Sequence, residues 1–251
     1  MSPDYILETR GLTREFSGFV AVKDVELKVR GGSIHGLIGP NGAGKTTMFN
    51  MLTKFLLPSS GSIIYRGSDI TGERPARVAR RGLVRSFQIS STFPHMTVLE
   101  NVRIALQRKM GGSFQFWRSE RALDHLHDSA IRILASVELA DYANLNAVEL
   151  PYGRKRALEL ATTLALEPEL LLLDEPTQGV AHEDVGRVVA LIKKFAQGRT
   201  VLMVEHNLSV VEDLCDKITV LQRGQVLAEG SYQEVSNNPQ VLEAYVGVAD
   251  E

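Results

Sequence analysis

The sequence predicts an α/β protein with a mainly parallel central sheet, antiparallel strands near the N-terminus and an inserted helical subdomain. Three observations lead to this fold class. Short apolar segments alternate with helical periodicity from residue 170 onward, as in parallel sheets that helices cover on both faces. A glycine-rich turn follows the predicted strand at 33–38 and leads into a predicted helix. Between about 97 and 165 the periodicity is mainly helical.

The individual elements follow from the spacing of apolar residues. Strands are predicted where β-branched or apolar residues alternate or run together between turn residues, and helices where apolar residues recur every three or four positions. The predicted strands are residues 5–9, 24–29, 33–38, 62–65, 83–86, 170–173, 200–204 and 217–221. The predicted helices are residues 46–55, 98–106, 122–137, 154–165, 185–195 and 208–215.

The organisation is that of one domain spanning 1–251. The sequence contains no internal repeat and one phosphate-loop pattern, so a fused pair of nucleotide domains is not expected. We expect a core formed by residues 1–88 and 166–251, with the helical subdomain at about 89–165. The loop at 109–118 contains the single tryptophan, Trp117; it is expected either to cap the helical subdomain or to contact a partner.

Composition excludes several classes of protein. The chain has 251 residues, of which 44% are hydrophobic and 23% charged, as in soluble globular proteins. The formal net charge of −2 shows no basic excess, so nucleic acid is not an expected partner. The single cysteine, Cys215, excludes an internal disulfide and fits a reducing compartment. We expect it to be a small buried hydrophobic residue.

We expect neither an N-terminal targeting sequence nor a membrane-spanning helix. Residues 1–10 lack a basic region followed by an apolar core, so we expect no signal peptide. No apolar run approaches the roughly 20 residues that a transmembrane helix needs. The chain is therefore expected in the cytosol, with any membrane association provided by a partner.

The glycine-rich turn fits the phosphate-binding loop pattern in the required strand–loop–helix context. Glycines let successive backbone N–H groups approach a phosphate closely. Lys45 is expected to reach the β- and γ-phosphates, and the Thr46 hydroxyl to ligate Mg²⁺. The candidate nucleotide-binding residues are Gly39, Pro40, Asn41, Gly42, Ala43, Gly44, Lys45, Thr46 and Thr47.

Two carboxylates follow a run of four leucines at 170–173. Such a run predicts a strand buried on both faces, and ligands of open α/β sheets bind at the carboxyl edge where this strand ends. Asp174 is expected to hold Mg²⁺ through its water shell. Glu175 is placed to accept a proton from an attacking water.

The ordered set of motifs resembles the ATP-binding cassette (ABC) ATPase family over essentially the whole chain. The set consists of the phosphate loop, Gln88, the segment 150–153, Asp174 with Glu175, and His206. The resemblance implies a P-loop NTPase fold of the ABC ATPase type, with ATP and Mg²⁺ as cofactors. It also implies that Gln88 contacts the metal and the attacking water, and that His206 contacts the γ-phosphate and helps to hold Glu175.

The resemblance assigns two further contacts to the nucleotide. Phe16 matches the aromatic residue that stacks on adenine, although Phe19 is close by and either ring could instead be in the core. Tyr152 and Gly153 lie in the family's signature segment, whose helix N-terminus would face the γ-phosphate bound by a second subunit. Hydrolysis would then need two subunits arranged head to tail, either as a homodimer or as a heterodimer.

Two positions depart from the family pattern. Pro151 stands where the signature usually has serine, and a proline offers neither a hydroxyl nor an N–H group. Ala181 ends the segment in which the family has an aspartate that couples the two sites. We hypothesise that this signature serves the opposite site less well than the common form.

Several segments resemble one branch of the family, the ATPase subunits of branched-chain (hydrophobic) amino-acid importers. These segments are 85–89, 93–102, 204–207 and 243–247, together with Tyr152 and the long helical insertion. The resemblance implies a second ATPase subunit and two permease subunits as partners, a periplasmic binding protein as an indirect partner, and a location on the cytoplasmic face of the inner membrane. The transported substrate cannot be derived from this subunit, and importers of urea or short amides use nearly the same ATPase.

Other functions remain as alternatives. A lipopolysaccharide-export ATPase shares the 243–245 ending but has a shorter helical middle. A soluble ABC protein of translation or DNA repair would carry paired nucleotide domains, coiled coils or zinc motifs, and none is visible. A GTPase or small-molecule kinase does not need the 150–153 and His206 elements, and the sequence lacks a guanine-recognition motif.

Overall fold

The structure is a computed structural model that describes residues 4–86, 92–109 and 121–246. Its contacts form two compact units. The first contains the described residues of 1–83, 169–175 and 196–251, and the second those of 84–168 and 176–195. The predicted subdomain boundaries at 88/89 and 165/166 stay a prediction.

The described residues contain eleven strands and nine α-helices. The strands are β1 (Tyr5–Phe16), β2 (Phe19–Val25), β3 (Lys28–Arg30), β4 (Ile34–Ile38), β5 (Ser60–Tyr65), β6 (Ser68–Asp69), β7 (Leu83–Ser86), β8 (Leu170–Asp174), β9 (Thr200–Val204), β10 (Lys217–Gln222) and β11 (Gln225–Gly230). The helices are α1 (Lys45–Leu52), α2 (Pro75–Arg80), α3 (Val98–Lys109), α4 (Arg121–Ser136), α5 (Tyr152–Leu164), α6 (His182–Ala196), α7 (Leu208–Leu214), α8 (Tyr232–Ser236) and α9 (Pro239–Val246).

The N-terminal strands of the first unit form an antiparallel sheet in the order β2-β1-β5-β6, with β3 also paired to β1. A two-residue turn, Ser17–Gly18, joins β1 to β2, and both residues have positive φ (48° and 93°), as the tight hairpin turn requires. The single strand predicted at 24–29 is wrong. It covers the end of β2 and the start of β3, because residues 26 and 27 leave the strand conformation between them.

The second sheet has the order β11-β10-β4-β9-β8-β7, and the boundary between the units falls within β7. The pairs β10–β4, β4–β9 and β8–β9 are parallel, whereas β10–β11 is antiparallel. The four leucines of β8 are at most 1% exposed, since a parallel strand between helical layers is buried on both faces. The predicted α/β fold with a parallel core and antiparallel N-terminal strands is confirmed.

The parallel sheet buries a histidine at its centre, and a cysteine packs beside it from the end of α7. His35 on β4 is fully buried, and its Nε2 lies 2.8 Å from the Thr219 hydroxyl, which donates in turn to Glu229. Burial lowers the pKa of His35 to about 4, so its ring is neutral at physiological pH. Cys215, the C-cap of α7, is half-buried, less than expected from the sequence. It packs against Gly36, whose hypothetical Cβ would lie 2.9 Å from the sulfur. Burial raises the pKa of the Cys215 thiol to about 12.

The second unit is helical, as the periodicity of its sequence predicts. Helix α4 buries Leu126, Ala130 and Leu134, which recur every four residues as on one apolar face of a helix. A capping box at Asn146 and Glu149 begins a short 3₁₀ helix, Ala147–Glu149, just before α5, and satisfies two backbone donors reciprocally. The loop that leads into α5 is therefore held by its own hydrogen bonds.

Across the residues that the structure describes, no helix combines the length and the apolar character needed to cross a bilayer.

Candidate functional site

The phosphate loop connects β4 to α1, as predicted. Gly44 is the N-cap of α1, with φ 101°, and a Cβ there would lie 2.6 Å from the carbonyl oxygen of Ala21 on β2. A Cβ at Gly39 would overlap the Leu221 carbonyl at the end of β10. Side chains at these two positions are excluded by neighbouring backbone, so the loop can keep its tight path only with glycine.

Lys45 lies inside this loop and is only 6% exposed. Its Nζ donates hydrogen bonds to the carbonyl oxygens of Gly39 (2.7 Å) and Pro40 (2.9 Å). Burial lowers the pKa of Lys45, and the nearby charges of Glu175 and Asp174 oppose this effect. The ammonium group is thus held at the loop by neighbours that a phosphate can replace.

Thr46 and Thr47 occupy the first turn of α1, with Thr46 exposed and Thr47 half-buried. The first backbone N–H groups of a helix have no intrahelical partner. This end of α1 therefore offers donors to an anion.

Asp174 and Glu175 lie where β8 ends, at the predicted edge of the sheet. Asp174 is 4% exposed. Glu175 has the left-handed backbone conformation, with φ 47°, and its N–H donates to the carbonyl of Val204 at the end of β9 (2.9 Å). A non-glycine residue with positive φ is uncommon, and such strain concentrates at functional sites. No sequence pattern predicted this conformation.

His206 contacts Glu175 directly, with 2.8 Å between Nε2 and Oε1. Because an ionised carboxylate only accepts hydrogen bonds, Nε2 carries the proton. The loop around His206 is itself held by buried Glu205, which accepts hydrogen bonds from the backbone N–H groups of His206 (2.8 Å) and Asn207 (3.1 Å). The structure thus brings together Lys45, Asp174, Glu175 and His206 from three separate segments of the first unit.

Phe16 and Phe19 are paired across the β1–β2 hairpin. Both rings are outside the core, with exposed fractions of 40% for Phe16 and 67% for Phe19. The guanidinium carbon of Arg14 lies 4.5 Å from the centre of the Phe16 ring, a cation–π contact that orients this ring. Phe16 as the adenine-stacking residue stays a prediction.

Tyr152 and Gly153 form the first turn of α5 in the second unit, and Pro151 is its N-cap. No side chain accepts a hydrogen bond from this helix start in the way serine commonly does. The Tyr152 hydroxyl donates to the carbonyl of Gln178 (3.1 Å). Gln88 and residues 110–120, including Trp117, lie outside the described residues.

The C-terminal segment was not predicted to lie near the candidate site; residues 243–247 contributed only to the family resemblance. A cavity of about 510 Å³ beside the phosphate loop is lined partly by α9, so this segment adjoins the candidate site. Its lining includes Asn41 and Ala43 from the loop, Arg223 from the β10–β11 turn, and Gln240 and Glu243 from α9. The capping box Ser231-x-x-Glu234 at the start of α8 was the sequence signal for helix in this region.

The donor set fits Mg²⁺ carried with a nucleotide. No group of three or more His, Cys, Asp or Glu side chains is placed to hold a metal ion within residues 4–86, 92–109 and 121–246. Mg²⁺ in nucleotide sites is instead held by one or two protein oxygens together with phosphates and waters. Asp174 and Thr46 supply oxygens of this kind, and Lys45 supplies the charge that phosphates need.

Comparison with known proteins agrees with this geometry. The ABC transporter family model matches residues 22–178, and the model for branched-chain amino acid ATP-binding cassette transporters matches residues 225–251. The branched-chain amino acid transport ATP-binding protein BraF of Pseudomonas aeruginosa is 40% identical, covering 97% of this chain and 98% of its own. LivG of Escherichia coli, with the same description, is 37% identical over the same shares.

A solved structure shows the same fold. The ADP conformation of MJ1267, an ATP-binding cassette of an ABC transporter, superposes with a TM-score of 0.85 at 29% identity, covering 97% of this chain and 99% of that one. The phosphate loop, the carboxylates after β8 and the histidine after β9 are therefore arranged on an ABC cassette. The chain belongs to the ABC transporter family and, within it, to the group of branched-chain amino acid transport ATP-binding proteins.

Proposed function

We propose that this chain is the ATP-hydrolysing subunit that powers an ABC importer for branched-chain or related hydrophobic amino acids. The observation that carries the chemistry is the convergence of Lys45, Asp174 and the hydrogen-bonded pair Glu175–His206 around one loop. The observation that carries the substrate class is the near-full-length identity to BraF and LivG, which are described as high-affinity branched-chain amino acid transport proteins.

Nucleotide binding would exchange hydrogen bonds that the loop already makes. Lys45 would release the carbonyls of Gly39 and Pro40 and donate to β- and γ-phosphate oxygens. The N–H groups at the start of α1 would supply further donors. Phe16 would stack on adenine, and Mg²⁺ would be held by Thr46, Gln88 and, through water, Asp174.

Hydrolysis would depend on Glu175 as the general base. Its carboxylate accepts a hydrogen bond from His206, which leaves the second oxygen to accept a proton from water. The left-handed backbone and the bond to Val204 hold this side chain at the end of β8. Mg²⁺ would neutralise charge on the phosphates during the attack.

Catalysis would require a second ATPase subunit, because Tyr152 and Gly153 lie at a helix start suited to an anion bound elsewhere. Two permease subunits would anchor the pair to the cytoplasmic face of the inner membrane, with a periplasmic binding protein as the indirect partner. The relatives reported above are all branched-chain amino acid transport proteins, so we prefer this branch to amide import, lipopolysaccharide export or a soluble ABC protein.

A pull-down in MgATP tests the proposed assembly. The tagged Glu175→Gln chain is expected to recover two permease subunits and a second ATPase from its native membranes, identified by mass spectrometry. A tagged Lys45→Ala chain provides the comparison without bound nucleotide. Recovery of soluble proteins only, or of a lipid-export complex, would contradict the importer assignment.

Restoring the common residue at the signature is expected to raise activity. Pro151→Ser supplies both an N–H group and a hydroxyl at the N-cap of α5, and a serine cap contributes about 1 kcal/mol to a helix. The assembled complex should hydrolyse ATP several-fold faster, measured as phosphate release at saturating MgATP. Pro151→Ala restores the N–H group without a hydroxyl and so shows the effect of the N–H group alone. An unchanged or lower rate for Pro151→Ser would contradict the hypothesis.

A further inference from the structure

The first turn of α5 is tied to the segment that follows the candidate base in sequence. The Tyr152 hydroxyl donates to the carbonyl of Gln178 at 3.1 Å. The Arg156 guanidinium, one turn further along α5, reaches the same carbonyl at 3.5 Å. Both donors and their acceptor belong to the second unit. One backbone oxygen is thus shared by two side chains of the signature helix.

The neighbouring Gly179 leaves space for the Tyr152 ring at this contact. Its φ is 73°, and a Cβ there would lie 2.9 Å from the Tyr152 hydroxyl and 3.2 Å from the ring carbon that bears it. Glycine accepts this backbone conformation and leaves room for the ring. The backbone at 178–179 and the tyrosine therefore fit one another only in a narrow range of positions.

Burial fixes the position of the Arg156 side chain but not that of the Tyr152 side chain. Arg156 and Glu159 are buried and form an ion pair of 2.9 Å, which fixes the guanidinium. The Tyr152 side chain is 49% exposed and lies 5.6 Å from that guanidinium. An exposed tyrosine gains little from packing. Its hydroxyl bond to the Gln178 carbonyl is the directional contact that defines where the ring lies.

We propose that Tyr152, supported by Arg156, is a positioning residue that makes the 177–180 segment move with the signature helix. Gln178 follows Glu175 by three residues in the chain, so a shift of α5 toward an anion would be passed to the segment that leads from the base. This contact would take the place of the coupling aspartate that Ala181 replaces. The inference rests on the proposed function, since it requires a signature helix that contacts a nucleotide in another subunit.

The test compares two tyrosine-to-phenylalanine variants in the assembled complex recovered with the tagged chain. Tyr152→Phe removes the hydroxyl and keeps the ring. Tyr142→Phe is the matched control, because Tyr142 also stacks with an arginine of α5, Arg154, at 4.0 Å. ATP hydrolysis is measured against MgATP concentration, and nucleotide affinity is measured separately on the isolated chain.

Tyr152→Phe is expected to lower kcat about tenfold, which corresponds to the loss of one hydrogen bond, and to reduce the Hill coefficient from about 2 to about 1. Nucleotide affinity of the isolated chain and the melting temperature should stay at wild-type values. Tyr142→Phe should change none of these. A Tyr152→Phe complex with wild-type kcat and Hill coefficient would overturn the proposal.

A double-mutant cycle separates positioning from direct contact of Tyr152 with nucleotide. Arg156→Lys keeps a charge for Glu159 and shortens the reach to the Gln178 carbonyl. If both side chains act through that carbonyl, the double variant should lose about as much kcat as the more impaired single variant. If the fold-losses in kcat of the two single variants multiply in the double variant, the proposal is overturned. Failure of the tagged chain to recover permease subunits and a second ATPase would instead contradict the proposed function itself.

Discussion

Replacing Glu175 by glutamine is expected to lower the turnover number for ATP by about 10³-fold, the usual range for removal of a general base. Glutamine keeps the length of the side chain and can still hydrogen-bond to His206, 2.8 Å away in the native protein. It cannot accept a proton from water. MgATP binding should persist, so the variant should accumulate with nucleotide bound and subunits closed together.

Single-turnover hydrolysis and gel filtration in MgATP measure the two parts of this result. Glu167→Gln is a suitable control, because Glu167 is an exposed glutamate with the same φ of 47° but belongs to the other unit. It should hydrolyse ATP at the normal rate. Normal turnover by Glu175→Gln would remove this carboxylate as the base, whatever its backbone conformation.

Replacing Lys45 by alanine is expected to weaken nucleotide binding by about 10³-fold, because hydrogen bonds to charged groups contribute roughly 1.5–3 kcal/mol each. The substitution has two separate effects, the first on nucleotide affinity and the second on the stability of the free chain. The phosphates lose a buried cation, and the carbonyls of Gly39 and Pro40 lose their donor in the nucleotide-free protein. The second effect should also lower the melting temperature of the free chain.

Titration calorimetry with MgATP and with MgADP measures the loss of affinity, and a thermal melt measures the loss of stability. Lys23→Ala removes the same charge from an exposed position on β2 and should bind nucleotide normally. Retained affinity in Lys45→Ala would show that the backbone N–H groups of the loop carry the binding by themselves.

The parts of the fold with strong apolar periodicity could be predicted from the sequence. The strands at 83–86 and 200–204 have the predicted bounds, and the leucine run at 170–173 is buried as expected, because a parallel strand must be apolar on both faces. The helix Pro75–Arg80 was not predicted. It has only one buried residue, Val78, so it lacks the apolar stripe on which helix prediction depends.

The candidate site was predictable in its membership and not in its geometry. Motif spacing indicates Lys45 and Glu175, since their chemistry requires particular side chains at particular points of the chain, and the family resemblance adds His206. The resemblance also implied that His206 helps to hold Glu175, and the two side chains are in contact. The left-handed backbone of Glu175 depends on how two neighbouring strands end and was not predicted. The contact between Tyr152 and Gln178 joins residues 26 positions apart, for which no local pattern gives a signal.

The packing of Cys215 against Gly36 has a practical consequence for spectroscopy. Cys215 is the single cysteine of the chain, and its thiol pKa of about 12 leaves almost no thiolate for alkylation at neutral pH. The native sequence therefore serves as its own blank for thiol-directed dyes and spin labels. Cysteine pairs introduced on α5 and on the segment near residue 178 could report distances by fluorescence or electron resonance without first replacing the natural cysteine.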